Sequence, residues 1–136
     1  MNQEKIEFIS LSIPIQYGQQ IHKIYYLVKN GRSKVIENFK SLSENDQDNV
    51  KDLICRMATK PDFKSPKIKY NLIGYNFGEI RLMPHRFFFF RKCGNNYIFF
   101  NYSIKKKGSL RNNFYKRLNK EKRRDEKEFE KFIQRN

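Results

Sequence analysis

The stretch HRFFFFRKCGNNYIFFNYSIKKK, residues 85–107, decides the fold. Its four consecutive phenylalanines, Phe87 to Phe90, form too short a run for a helix. A short all-apolar run bounded by turn residues reads as a strand buried on both faces. CGNN, residues 93–96, supplies a hairpin turn, and YIFFNYSI, residues 97–104, the return strand. A hairpin folds its start beside its finish. Arg86 and the run Lys105, Lys106 and Lys107 are therefore expected at one end of the sheet.

Working outward, FGEIRLM (77–83) alternates, with Glu79 and Arg81 on one side and Ile80 and Leu82 on the other, until Pro84 ends it. Before it, Ile68, Tyr70 and Leu72 alternate with Lys67, Lys69 and Asn71, which reads as a half-buried strand with a basic outer face. These segments predict an antiparallel meander. Upstream, KIYYLV (23–28) reads as a strand. Ser33 is a candidate N-cap for a helix carrying Val35, Ile36, Phe39 and Leu42. Ser43 and Asp46 match a capping box for a second helix with an apolar stripe from Val50 to Ala58. The two helices should form a hairpin packed on the sheet. Downstream of Ser109, Leu110, Phe114 and Leu118 predict a C-terminal helix. Its all-polar middle, residues 119–128, is expected to project into solvent or onto a partner. Residues 1–22 read as an N-terminal extension, with an edge strand in IEFISLSI (6–13), and residues 23–133 as a single domain. The predicted class is α+β.

Composition bounds the function. Of 136 residues, 29 are Lys or Arg and 14 Asp or Glu, a net charge of +15. The excess is +2 over residues 1–65, +5 over 66–103 and +8 over 104–136. That skew favours a polyanionic partner, most simply nucleic acid. No apolar run is long enough to span a bilayer, and Met1–Lys5 is not followed by an apolar core, so neither membrane nor secretion is expected. Cys55 and Cys93 predict two free thiols in a cytoplasmic protein. There is no P-loop, no GxGxxG, no HExxH, and no partner set for His22 or His85, so no metal or cofactor is expected.

What remains is cations with aromatics. Arg81 and Arg86 bracket a strand turn, Lys105 to Lys107 end the last strand, and Arg111, Tyr115 and Lys116 open the helix. Arginine clamps phosphate bidentately, lysine adds point charge, and tyrosine stacks on a base or donates a hydrogen bond.

The order of these words resembles the RelE/HigB-like toxins of type II toxin–antitoxin systems. The matching words are IYYLVKNGRSKVIENFKSL, YNLIGYNFGEIRLMPHRFFFF, and YIFFNYSIKKKGSLRNNFYKRLNKEKRRDEKEF. The resemblance implies a small RNase-like α+β domain with a curved antiparallel sheet. It implies a metal-independent mRNA interferase acting on the ribosome and silenced by a cognate antitoxin protein. Carried over by position, it implies catalytic roles for Arg81, Arg86, Lys105, Lys106 and Tyr115. Lys67, Lys69, Lys107, Arg111 and Lys116 are the expected RNA-binding set. The chemistry would be attack of the RNA's own 2′-OH on the adjacent phosphate, with the cations stabilising the anionic transition state. Lys106, or else His85, is the candidate base. Two other readings stay open: a non-catalytic RNA- or ribosome-binding module, and a gyrase inhibitor of the same fold group.

Overall fold

The computed structural model describes residues 4–105 and 112–135. Six strands form one mixed sheet: β1 (Ile6–Ser10), β2 (Lys23–Lys29), β3 (Ile68–Lys69), β4 (Gly78–Leu82), β5 (His85–Lys92) and β6 (Asn96–Ile104). Their order across the sheet is β1-β2-β6-β5-β4-β3. Helices α1 (Lys34–Lys40) and α2 (Glu44–Thr59) follow β2, and α3 (Asn112–Arg135) closes the chain. The class is α+β, as expected.

The predicted meander is present as β3 to β6, each strand antiparallel to the next. The sheet as a whole is mixed, because β2 lies parallel to β6. A parallel pair needs a long crossover, and the segment holding α1 and α2 with β3 to β5 supplies one. Part of the N-terminal stretch joins the sheet: β1 pairs antiparallel with β2, and Phe8 is buried. β3 is shorter than its alternation suggests. Ile68 and Tyr70 pack on one face, but Leu72 crosses to the other.

The helix pair starts where the caps predict. Ser33 Oγ accepts from the Ile36 N–H at 3.2 Å, and Ser43 Oγ from the Asp46 N–H at 3.1 Å. Each satisfies a backbone donor that the first helical turn leaves open. Val35, Val50, Leu53, Met57 and Ala58 then pack on one face of the sheet against Phe87, Phe89 and Phe99. On the other face, Phe88, Phe90, Ile98 and Phe100 pack with Phe8, Leu118 and Phe129. Successive strand side chains point to opposite faces. A strand covered by helices on both sides therefore reads FFFF, with no polar residue to spare.

A register shift between Phe88 and Phe89 marks a bulge opposite them in β6. The extra residue re-phases the strand. Phe100 and Asn101 both face α3, and Tyr102 returns to the α1–α2 face. The β5–β6 turn carries Cys93 at φ 53° and Gly94 at φ 81°, the left-handed values a tight hairpin demands.

The polar middle of α3 is split by side: Lys120, Arg123, Arg124 and Lys127 are exposed, as expected, whereas the other side packs on the sheet. Lys122 and Asp125 are buried. Asp125 meets Lys29 of β2 at 3.1 Å, and Glu121 accepts from Asn101 Nδ2 at 3.1 Å. Lys92 reaches Glu130 at 3.0 Å and Glu126 at 3.5 Å. The inner side departs from the expectation of a solvent-facing segment because hydropathy alone does not show that these carboxylates have lysines waiting on the sheet. Burial of a charge is tolerated when it is paired. Among the described residues no helix is long and apolar enough to cross a membrane.

Candidate functional site

The site sits where β4 turns into β5, on the face that α3 covers. Arg81 and Arg86 are direct cross-strand partners. Like charges in such a position repel. Glu79 resolves this. It lies two residues before Arg81, hence on the same face, and is fully buried. One carboxylate oxygen, Oε2, accepts a hydrogen bond from the Arg81 Nε–H and forms an ion pair with Arg86 Nε at 3.3 Å, without hydrogen-bond geometry. Arg86 also donates to the His85 carbonyl at 3.1 Å and to Met83 Sδ at 3.2 Å. Its side chain is only 4% exposed, whereas that of Arg81 is 33% exposed. The two arginines are thus unequal: Arg86 is fixed inside, and Arg81 presents its guanidinium at the surface.

α3 brings an aromatic wall to this cluster. The Tyr115 ring stacks on Tyr75 (centroids 6.0 Å apart, 28° between planes) and meets Phe88 edge-on. Burial pushes the Tyr115 hydroxyl above its usual pKa, and the Glu79 carboxylate pushes it further, against the pull of Arg81 and Arg86. At neutral pH this hydroxyl is protonated and is a donor, not a base.

Lys67 and Lys69 border the cluster on the β3 side. Lys69 is exposed and pairs across the ladder with Glu79. The Lys67 carbonyl accepts from the Arg81 N–H at 2.7 Å. Lys105, half-buried, is tied by its N–H to the Pro84 carbonyl at 2.7 Å, at the same turn. Lys116 is exposed beside Tyr115. The rim therefore gathers Arg81, Arg86, Lys67, Lys69, Lys105, Tyr115 and Lys116. Lys106, Lys107 and Arg111 lie outside the described residues.

His85 is directed elsewhere. Its Nδ1 is 2.6 Å from the Tyr102 hydroxyl, and Tyr102 belongs to the α1–α2 face. Strand alternation puts His85 and its neighbour Arg86 on opposite sides of the sheet.

Glu79 is the residue that sequence reasoning passed over. It is the only acidic residue between positions 66 and 103. An E-x-R pair in a strand places both side chains on one face, and the hairpin register adds Arg86 to them. Those two facts together would have assigned it as their counter-ion.

A cleft of about 980 Å³ opens among Lys64, Tyr70, Arg91, Tyr97, Lys122 and Glu130, and none of the predicted site residues lines it. Two of its cations, Lys92 and Lys122, are already paired with Glu126 or Glu130. The cleft also carries the carboxylates of Asp62, Glu126 and Glu130, so its lining is mixed in charge.

Against models of known protein families, curated proteins and solved structures, the chain has no match. What the fold and site define is a class: an α+β protein with helices on both faces of a mixed sheet and a cationic, tyrosine-walled rim.

Proposed function

We propose that the chain is a RelE/HigB-like toxin: a metal-independent endoribonuclease that cuts mRNA on the ribosome and is silenced by an antitoxin protein. The observation that carries this reading is the inequality of the two arginines. A buried Arg86–Glu79 pair holds Arg81 at the surface, beside exposed lysines and a tyrosine wall. This is how a protein preorganises one guanidinium for a phosphate without letting it collapse into solvent. The reading takes the helix pair, the meander and the C-terminal helix as the family's arrangement.

In the reaction, Arg81 receives the scissile phosphate and stabilises the charge that builds on its oxygens as the 2′-OH attacks. Lys69 and Lys67 hold the flanking backbone. Tyr115 donates a hydrogen bond or supports a base. Arg86 and Glu79 position Arg81 and do not touch RNA. The 2′-O–P bond forms as the P–O5′ bond breaks, leaving a 2′,3′-cyclic phosphate. The proton of the 2′-OH goes to Lys106 or to a group supplied by the ribosome, and the departing 5′-oxygen takes up a proton from that group or from water.

A second reading, a non-catalytic RNA-binding module, is favoured by one observation. Within the described rim the one carboxylate is committed to two arginines and the one histidine faces away, so the rim holds phosphate without offering a base. Expression of the chain alone separates the two. A catalytic toxin arrests growth, and the Arg81→Ala variant does not. No arrest by the wild-type chain rejects the toxin reading.

A further inference from the structure

The charge on α3 is sorted by side. Its carboxylates Glu121, Asp125, Glu126 and Glu130 are paired inward with Lys29, Lys92, Lys122 or Asn101. Its outer face carries Lys116, Lys120, Arg123, Lys127 and Lys131, all exposed. Their spacing of 4, 3, 4 and 4 residues places them on one line along the helix. At a rise of about 1.5 Å per residue, that line runs roughly 22 Å away from Tyr115 and the rim. Arg117, Arg124 and Arg135 are also exposed on this helix. Only Lys131 of the line meets a carboxylate among the described residues, Glu128 at 3.7 Å. General solubility does not require such sorting. On α1 the exposed Lys34 and Lys40 are interspersed with Glu37, itself bridged to Arg32 at 2.9 Å.

The line also lacks something. The aromatics of α3, Phe114, Tyr115, Phe129 and Phe132, all pack inward against the sheet. Proteins that hold single-stranded nucleic acid combine cations with exposed rings on which bases stack. Cations without rings suit a backbone whose bases are already paired. Double-stranded RNA is recognised in that way, through its phosphates and shape.

We infer that the outer face of α3 docks the phosphate backbone of a double-helical RNA segment, and so delivers the rim to an RNA target. The choice of RNA over DNA rests on the proposed function; the choice of a paired backbone rests on α3 itself. The test is fluorescence anisotropy with a labelled 20-base-pair RNA duplex across a salt series. It compares wild type with the triple variant Lys120→Gln/Arg123→Gln/Lys127→Gln and with Lys34→Gln/Lys40→Gln as a control on the opposite layer. Each lost phosphate contact lowers the slope of log K against log salt by about 0.9. The triple variant should therefore show a slope shallower by roughly 2 to 3 and binding weaker by about tenfold or more at moderate salt. The control should bind as wild type does.

An unchanged slope in the triple variant overturns the inference. So does tighter binding of the single strand, of a DNA duplex of the same sequence, or of polyglutamate. An mRNA-cleavage assay with translating ribosomes, run on the same proteins, keeps the two ideas apart. If wild type never cuts but the triple variant still loses the duplex, docking stands and the nuclease reading falls. If wild type cuts, Arg81→Ala does not, and the triple variant binds normally, the nuclease reading stands and docking falls.

Discussion

Glu79, Arg81 and Arg86 carry one negative and two positive charges at a single strand turn, and their burial divides their roles. Removing one member of a buried pair strands the other's charge, which typically destabilises by about 3–5 kcal/mol. Glu79→Gln leaves a buried Arg86 facing its cross-strand neighbour with no counter-ion, and is expected to lower stability by about 3 kcal/mol in urea unfolding. Arg86→Ala should do the same. Arg81→Ala removes the hydrogen bond that buried Glu79 accepts but leaves Arg86 as its counter-ion, and the charge removed is the partly exposed one. It should destabilise by about 1–2 kcal/mol, less than Arg86→Ala, while abolishing function. Equal destabilisation by Arg81→Ala and Arg86→Ala would show that the inequality drawn from their exposure is wrong.

At the scale of elements, α3 and β4 each carry one tight contact that a single substitution tests. Burial lifts the Asp125 carboxyl to about 6, well above its ordinary 3.8, although Lys29 pulls the other way. In that pH range the folded state binds the proton more strongly than the unfolded state, so this group's contribution to stability falls as pH rises from about 4 to about 6. Above pH 6 the ionised, buried carboxylate is a standing cost. Asp125→Asn should be more stable than wild type at pH 8, by about 3 kcal/mol on the scale of 1.36 kcal/mol per pKa unit, with the gap closing near pH 4. A constant difference across that range would contradict the assignment. On β4, a Cβ added at Gly78 would come within 2.2 Å of the Lys69 carbonyl oxygen and 2.5 Å of that of Tyr70, both backbone atoms. Gly78→Ala must push β3 off β4. The expected loss is about 1–3 kcal/mol, and faster amide exchange should be confined to β3 and the following loop.

For the whole molecule, the sequence disclosed what depends on local pattern. The caps at Ser33 and Ser43, the FFFF strand, the 93–96 turn and the meander follow from periodicity and turn chemistry. Hidden were features set by what lies across a gap. The bulge at Phe100 arises from the need to cover two faces at once. The parallel β2–β6 contact joins residues far apart in the chain. The burial of Lys122 and Asp125 depends on Lys29 and Phe90, to which nothing in α3 points. The rim was legible as a convergence of cations, because hairpin register fixes Arg81 opposite Arg86. Its neutralising carboxylate was visible on the right side of the strand but had no role until Arg86 was seen to be buried. The central claim is that this rim acts on RNA through Arg81. It is tested most directly by mapping mRNA 5′ ends after incubating translating ribosomes with wild type or with Arg81→Ala. The expected result is new, discrete ends with wild type and none with Arg81→Ala, assayed below the unfolding midpoint of that variant. No new ends with wild type, or the same ends with Arg81→Ala, would contradict it.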